Sequence, residues 1–173
     1  MWKKLLFGFV LFLFVLSLSV NLVAFDLDFY DSENVDVDEV KVLRGYFMFQ
    51  DVELDGYDSE ELSHLKDVRL LFVLNLVLTF GLLLVLVFFL RDYVYSGLVS
   101  LGLVTLLLPF SLAFSWAFIK FHEVLFWNDA WMLDSNAKLI ALFPESFFLA
   151  CFLQIILYSV MFSLFVIVLG GKK

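Results

Sequence analysis

Four long apolar runs alternate with polar segments along the chain, and each run has the length needed to cross a lipid bilayer. An α-helix rises ~1.5 Å per residue, so roughly 20 apolar residues cross a hydrocarbon core about 30 Å thick. The runs predict four transmembrane helices at about 5–25, 70–90, 98–119 and 147–169. We therefore expect an all-α membrane protein in which residues 1–173 form a single integral membrane domain.

The first apolar run, which follows Lys3 and Lys4, has two interpretations. A basic start before an apolar core is also typical of a cleaved signal peptide. However, the run is long for the apolar core of a signal peptide, and Leu22-Val23-Ala24 is a poor cleavage site. We interpret the run as a retained first span, and a signal peptide is the alternative.

Individual polar and proline residues predict where the helices begin and bend. Pro109 is expected to kink the third span, because proline removes a helix hydrogen bond. Ser59 is a favourable N-cap, and no helix-breaking residue separates it from the second span. Pro144 suits the first residue of the helix that becomes the fourth span. In residues 37–49, apolar positions recur at helical spacing and predict a short amphipathic helix.

The charges of the chain are unevenly distributed around a formal net charge of −8. Residues 26–67 contain fourteen acidic and three basic residues, so the rest of the chain is mildly basic. The lack of a basic groove excludes a nucleic-acid-binding protein. The single cysteine, Cys151, lies in an apolar run, which excludes an internal disulfide and a cluster of thiolate metal ligands.

Lysine and arginine residues beside the spans indicate the orientation of the bundle, since cytoplasmic flanks are enriched in them. With four spans, both termini and the turn at 91–97 share one side, which carries Lys3, Lys4, Arg91, Lys172 and Lys173. The other side carries Lys66, Arg69, Lys120 and Lys138. Because the first group lies on short flanks, we expect both termini to be cytoplasmic. The segment 26–67 and the loop 120–146 then form an extracytoplasmic cap on a bundle in the cell membrane.

The two histidines of the chain are brought to one membrane face by this topology, whichever way the bundle is oriented. His64 comes just before the second span and His122 just after the third. A histidine takes or gives a proton near neutral pH, and a nearby carboxylate fixes its tautomer. We therefore predict that both are catalytic acid–base residues. The alternative is that each is an interfacial histidine without a chemical role.

Polar and aromatic residues near the histidines are the candidates for substrate binding. The loop 120–146 is more than a linker, since loops of this length in compact proteins are usually functional. Its tryptophans also fit a role as membrane-interface anchors, and an asparagine within a span also suits hydrogen bonding between helices. The candidates are Asp67, Asn75, Glu123, Trp127, Asn128, Asp129 and Trp131.

Other chemistries have weaker support in the sequence. The histidines could bind a metal ion together with Glu123 or Asp67, but no HExxH motif is present. A bis-histidine haem is disfavoured, because the histidines lie at the ends of spans and not inside the bundle core. Ser63 and Ser146 are potential nucleophiles that lack the elbow motif of serine hydrolases. We expect no metal and no other cofactor.

Two motifs carry a resemblance to a known family. The first is ELSHLKDV, residues 61–68. The second comprises Phe121-His122, Trp127-Asn128-Asp129, Trp131, Leu139-Ile140 and Phe143-Pro144-Glu145. Together they resemble the lipoprotein intramolecular transacylase family (Lit) of small four-span bacterial membrane proteins. The resemblance covers the whole topology, although residues 134–138 look shorter and less acidic than the family pattern.

The resemblance implies a reaction that composition and spacing do not show. Such enzymes move the sn-2 acyl chain of a diacylglyceryl-modified N-terminal cysteine onto the α-amine of the same cysteine. For this chain the resemblance implies that the substrate is a lipid-anchored lipoprotein and that the protein also contacts membrane lipids. It further implies that the two histidines share the acid and base roles. The alternative function is that of a non-enzymatic four-span protein whose acidic outer segment binds a partner or a cation.

Overall fold

A computed structural model describes residues 2–171, which are almost entirely helical. The predicted flanking lysines Lys172 and Lys173 lie outside the described residues. No strand occurs within 2–171, which confirms the predicted all-α class. The helices are α1 (Trp2–Phe25), α2 (Leu27–Ser32), α3 (Val37–Phe47), α4 (Ser59–Phe89), α5 (Tyr93–Thr105), α6 (Phe114–Leu125), α7 (Lys138–Leu142) and α8 (Glu145–Gly171), with a 3₁₀ helix at Leu108–Ala113.

Four helical stretches are long and apolar enough to cross a membrane, as predicted. They are Trp2–Phe25, Ser59–Phe89, Tyr93–Leu125 and Glu145–Gly171. The third stretch is interrupted after α5 by the 3₁₀ helix that contains Pro109, so the α-helix is broken at the proline where a kink was predicted. The second begins well before its apolar part, because α4 runs without a break from the polar segment into the span.

The structure corrects one local prediction in the acidic segment and adds a short helix to it. The residue that caps α4 is Asp58 and not Ser59, because Asp58 Oδ1 accepts the backbone N–H groups of Glu60 and Glu61. Residues 26–29, which alternate between acidic and apolar, lie at the start of the short helix α2. Asp26 caps that helix, since its side chain accepts the N–H of Phe29 at 3.1 Å. The predicted amphipathic helix is confirmed as α3.

The chain divides into two compact units. The first comprises Met1–Ala24, Asn75–Leu112 and Phe152–Lys173, and the second comprises Phe25–Leu74 and Ala113–Cys151. All of the predicted cap, residues 26–67 and 120–146, falls within the second unit. The single domain over 1–173 remains a prediction.

The first unit combines an apolar core with polar contacts between helices. Its buried core residues are Leu11, Val15, Leu86, Leu90, Val104 and Ile156. Buried serines pair across helices, with Ser19 Oγ 3.0 Å from Ser159 Oγ and Ser100 Oγ 2.8 Å from Ser163 Oγ. Small polar residues let membrane helices approach closely and hydrogen-bond to each other.

The second unit is built around short helices that pack on α4. Asp36 caps α3, since its side chain accepts the backbone N–H groups of Asp38 and Glu39. This helix then buries Val40 and Leu43 in two small apolar clusters. Leu65 of α4 and Leu139 of α7 complete one of the clusters, so the loop 120–146 is tied to the acidic segment.

Candidate active site

The second unit brings the two histidines together. His64 lies in the second turn of α4 and His122 in the last turn of α6. Their ring centroids are 6.1 Å apart, and His122 is only 8% exposed. The two histidines, which the sequence places at one membrane face, therefore lie side by side in the structure.

The tautomer of His122 is determined by a backbone contact. Its Nδ1 lies 2.7 Å from the carbonyl oxygen of Phe118, one turn earlier in α6. A carbonyl oxygen only accepts, so Nδ1 carries the proton and donates it. The neutral ring then has its lone pair on Nε2. His122 thus offers one nitrogen as a proton acceptor.

His64 differs from His122 in that no protein group determines its tautomer. Its Nδ1 is buried and has no hydrogen-bond partner within residues 2–171. The ring packs edge-on against Phe126, with centroids 4.9 Å apart. An unpaired buried polar atom is unfavourable, and such atoms call for an explanation by strain, by a ligand or by a chemical role.

Aromatic rings enclose the histidine pair. Phe118 and Trp131 lie 4.3 and 5.1 Å from the His122 ring by centroid, and Phe126 contacts both histidines. The sequence analysis did not single out Phe118 or Phe126. Their spacing of four residues on either side of His122 was the available signal, since such positions share one face of a helix.

Asp67 and Asn128, two of the predicted substrate-binding residues, contact each other. Asn128 Nδ2 donates to Asp67 Oδ2 at 2.8 Å, and Asn128 Oδ1 accepts the backbone N–H of Ala130 at 3.0 Å. Asp67 is one turn after His64 on α4, so this contact fastens the loop after α6 beside the histidines. Its primary effect is to position the loop that carries Trp131.

Of the remaining substrate-binding candidates, three are exposed and one contacts a histidine ring. Glu123 forms an exposed ion pair with Lys120 at 2.6 Å, and Asp129 is exposed. Trp127 is 97% exposed, which suits an anchor at a membrane interface. Among the predicted aromatic residues of the loop, Trp131 is the one in contact with a histidine ring.

Asn75 lies in the first unit, where its amide is already bonded. Its Nδ2 donates to the carbonyl oxygen of Ser17 and to Asn21 Oδ1, and its Oδ1 accepts from Ser17 Oγ at 2.7 Å. These contacts hold α1 against α4. Asn75 therefore has the alternative role, hydrogen bonding between membrane helices. The N–H donors of its amide are not free to bind a substrate.

Glu61 is a site-building residue that the sequence analysis did not predict. It is 2% exposed, and its carboxylate is divided between two backbone donors. Oε2 accepts the N–H of Asp58 at 2.9 Å, and Oε1 accepts the N–H of Leu139 at 2.7 Å. The D-x-x-E spacing of a capping box was the sequence signal for the first contact. The second joins α7 to the turn of α4 that precedes His64.

A second polar cluster also holds α7. Lys138 Nζ donates to Glu39 Oε1 at 2.9 Å and to the Asp55 carbonyl oxygen at 2.8 Å. The hydroxyl of Tyr57 donates to the same Glu39 oxygen at 2.7 Å. The Tyr57 hydrogen bond and the Lys138 ammonium lower the pKa of Glu39. Burial, followed by the bond to Glu39, raises the pKa of Tyr57.

The carboxylates near the histidines do not join them as metal ligands. Within residues 2–171, no group of three His, Cys, Asp or Glu side chains is arranged to hold a metal ion. Asp67 is bonded to Asn128, and Glu123 is paired with Lys120. The arrangement is that of two imidazoles in an aromatic pocket at the ends of two membrane helices.

The chain is similar in fold to solved structures of one bacterial membrane protein, the membrane integral lipoprotein intramolecular transacylase Lit from Bacillus cereus. One structure of that protein superposes with a TM-score of 0.83 at 20% identity, covering 98% of this chain and 93% of the other. Its histidine-to-arginine and histidine-to-alanine variants superpose with TM-scores of 0.72 and 0.69, at 20% and 19% identity. These two cover 98% of this chain and 89% and 91% of their own.

A family model identifies the same relationship from sequence. A search of curated proteins gave no significant match. The model described as "Lipoprotein intramolecular transacylase Lit" matches residues 38–148, a range that includes both histidines and the loop between α6 and α8. This chain therefore belongs to the Lit family of lipoprotein intramolecular transacylases.

Proposed function

We propose that this protein transfers the sn-2 acyl chain of a diacylglyceryl-modified N-terminal cysteine to the α-amine of that cysteine by histidine acid–base catalysis. The observation that carries the proposal is the pair of rings 6.1 Å apart, one with a fixed tautomer and one with an unpaired nitrogen. The product is a lyso-form lipoprotein with an N-acyl chain and a free sn-2 hydroxyl.

The transfer needs one proton acceptor and one proton donor. The α-amine loses a proton as its nitrogen bonds to the ester carbonyl carbon, and the resulting tetrahedral intermediate carries an oxyanion. When the intermediate collapses, the ester C–O bond breaks and the sn-2 oxygen leaves with its electron pair and takes a proton. The net change is one C–N bond formed, one C–O bond broken and one proton moved from nitrogen to oxygen.

His122 is the base in this proposal, because its Nε2 is the nitrogen with the lone pair. The Phe118 carbonyl keeps the Nδ1 proton in place while Nε2 becomes protonated, which stabilises the imidazolium. His64 is the acid that protonates the sn-2 oxygen. The proton taken up by His122 reaches His64 through the substrate or one water before the sn-2 oxygen leaves, and His64 passes it to that oxygen. Both histidines are then neutral again for the next turnover.

No enzyme nucleophile is required, because the nucleophile belongs to the substrate. Cys151 contacts an apolar cluster formed by Val35, Val40 and Phe147, which suits packing and not catalysis. The mechanism therefore forms no acyl-enzyme. Ser63 and Ser146 are likewise left without a catalytic role.

Trp131 is the group best suited to steady the oxyanion. An indole N–H is a donor only, and the Trp131 ring lies 5.1 Å by centroid from the ring of the proposed base. Asp67 and Asn128 position the loop that carries Trp131, and Asn75 is left out because its donors are taken. Asp129, Glu123 and Trp127 are proposed to face the peptide or headgroup part of the lipoprotein.

A crossover experiment tests the proposed reaction. The purified protein is incubated with two diacylglyceryl lipopeptides of different peptide mass, of which one carries a deuterated sn-2 chain. Because the amine and the ester belong to one molecule, we expect each N-acyl lyso product to keep its own chain. Mass spectrometry with fragmentation of the N-terminus measures both the position and the label of the acyl group.

Four outcomes contradict the proposal in different ways. Scrambled labels indicate transfer between molecules, and a transferred sn-1 chain indicates the wrong ester. Turnover of an N-acetylated lipopeptide, whose amine is blocked, indicates hydrolysis. If none of the lipopeptides is converted, the non-enzymatic function, in which the acidic segment binds a partner or a cation, replaces this one.

We also propose that the site faces away from the cytoplasm, in the cell membrane. The proposal rests on the basic residues of the short flanks, which include Lys3, Lys4 and Arg91. In a Cys151→Ala background, a cysteine at Asp55 is expected to react with a membrane-impermeant maleimide in intact cells. A cysteine at Arg91 is the matched control and is expected to react only after lysis, and the reverse pattern contradicts this orientation.

A further inference from the structure

The first unit contains a cavity that the proposed reaction does not use. It has a volume of about 460 Å³ and lies where the first turn of α1, the first turn of α5 and the last turn of α8 meet. Its charged lining residues are Lys3, Lys4, Arg91 and Asp92, and Phe7 and Gly170 contribute to its apolar wall. Three cations against one carboxylate make the lining cationic.

The carboxylate in the lining is already bonded. Asp92 Oδ2 pairs with Lys4 Nζ at 2.6 Å, and Asp92 Oδ1 accepts the backbone N–H of Tyr95 at 3.2 Å as the N-cap of α5. Lys3 and Arg91 have no ion-pair partner within residues 2–171. Their two positive charges are therefore available to an anion in the cavity.

A buried hydroxyl on the cavity wall gives a second, independent indication of a ligand. Ser96 is fully buried, and its Oγ makes no hydrogen bond to any described residue. Within residues 2–171 one other buried side-chain atom lacks a partner, and that atom is Nδ1 of His64 in the proposed catalytic pair. A buried donor without a partner is unfavourable, and an anionic oxygen would supply the partner.

The walls and the position of the cavity restrict the kind of anion. Unpaired cations, a hydroxyl donor and the first turn of a thirteen-residue helix together favour a phosphate group. Phe7 and Gly170 belong to helices that are long and apolar enough to cross a membrane, so the ligand also meets apolar surface. Basic pockets between membrane helices bind phospholipid headgroups.

We infer that this cavity binds the headgroup phosphate of an anionic phospholipid. In this arrangement Lys3 and Arg91 contact the phosphate from the rim, Ser96 donates to one of its oxygens, and an acyl chain follows the apolar wall. The inference does not rest on the acyl-transfer reaction. The bound lipid would have a structural or regulatory role. It would lie at the end of the first unit where the turn between α4 and α5 is found.

Native mass spectrometry of the purified protein tests this inference. The probes are phosphatidylglycerol and phosphatidylcholine with identical acyl chains, so the headgroup is the sole difference. We expect at least a tenfold preference for phosphatidylglycerol. Lys3→Gln and Arg91→Gln are each expected to weaken its binding about fivefold, since a cation near the membrane surface contributes about that factor. Ser96→Ala is expected to weaken it about tenfold, because it removes a hydrogen bond to a charged group.

Matched variants separate a site from general electrostatics. Lys41→Gln removes an equal charge from the second unit, and Ser100→Ala removes an equally buried hydroxyl one turn further along α5. Both are expected to bind phosphatidylglycerol as the wild type does. Size-exclusion chromatography checks that each variant is folded. Because Lys3 is exposed, we expect Lys3→Gln to fold, so it still tests the site if Arg91→Gln misfolds.

Other results overturn the inference. Equal binding of the two lipids would show that the protein does not recognise the headgroup. Wild-type affinity in both Lys3→Gln and Ser96→Ala would show that the lipid does not bind in this cavity. Full displacement of phosphatidylglycerol by a hundredfold excess of inorganic phosphate identifies a site for the free anion and not for a lipid. Loss of binding in Lys41→Gln to the same extent as in Lys3→Gln shows that net charge alone is responsible.

Discussion

His64→Ala and His122→Ala are each expected to lower the rate of lyso-lipoprotein formation by ~10² to 10⁴, the usual contribution of a positioned acid or base. The rings belong to one pair, so the double variant should be hardly slower than either single one. Both variants should still insert and fold, because the rings lie at helix ends and not in the apolar core of a span. The measurement is conversion of a diacylglyceryl lipopeptide in membranes that contain equal amounts of each variant.

Two substitutions provide the controls for the histidine variants. Ser63→Ala removes the hydroxyl of the residue next to His64 on α4, and Cys151→Ala removes the single thiol of the chain. Both are expected to retain wild-type activity, because the mechanism has no covalent enzyme intermediate. Normal turnover by both histidine variants, or an inactive Ser63→Ala, would rule out acid–base catalysis by this pair.

Glu61→Ala is expected to lower the free energy of unfolding by about 1–3 kcal/mol, mainly because it leaves the buried backbone N–H of Leu139 without an acceptor. Leu139 lies in α7, and the other N–H that Glu61 accepts is that of Asp58 at the start of α4. Glu61→Gln should cost less, since its side chain keeps one acceptor oxygen. Activity should fall in the same order, because this carboxylate joins α7 to the turn that precedes His64. Thermal unfolding in detergent and the lipopeptide assay measure the two effects.

Glu60→Ala is the matched control for Glu61. Glu60 is the preceding residue in the same turn and has the same charge, but it is exposed. Its substitution should change stability by less than about 0.5 kcal/mol, as is usual for surface positions without specific contacts. If Glu60→Ala and Glu61→Ala destabilise the protein equally, the loss is one of helix-terminus charge and not of the two hydrogen bonds that Glu61 accepts.

The membrane helices follow from the chain's local pattern. Backbone N–H and C=O groups cannot remain unpaired in hydrocarbon, so an apolar run of about twenty residues has to become a helix. Pro109 breaks the third span because it lacks a donor, and the continuous run after Asp58 carries α4 into the second span without a break. The placement of His64 and His122 at one membrane face required only that two consecutive spans return the chain to that face.

The roles of individual polar side chains depend on contacts between residues distant in the sequence. Asn75 shares a helix face with His64 in the sequence pattern, yet its amide bonds Ser17 and Asn21 of α1. Glu61 suited the first turn of a helix, but its second oxygen meets Leu139, which is 78 residues away. Helical periodicity gives the face on which a side chain lies, and it contains no information on the helix that packs there.

Sequence alone determined the helical class, the four membrane helices and the placement of the two histidines at one membrane face, because these depend on hydrophobic length and the order of the spans. The packing of the helices decided how close the two rings lie. The tertiary structure decided the state of the site. The Phe118 carbonyl determines the tautomer of His122, and the packing around His64 leaves its Nδ1 without a partner. Those features depend on atoms within about 3 Å of each ring, and a side chain's nearest polar neighbours are known only when the helices have packed.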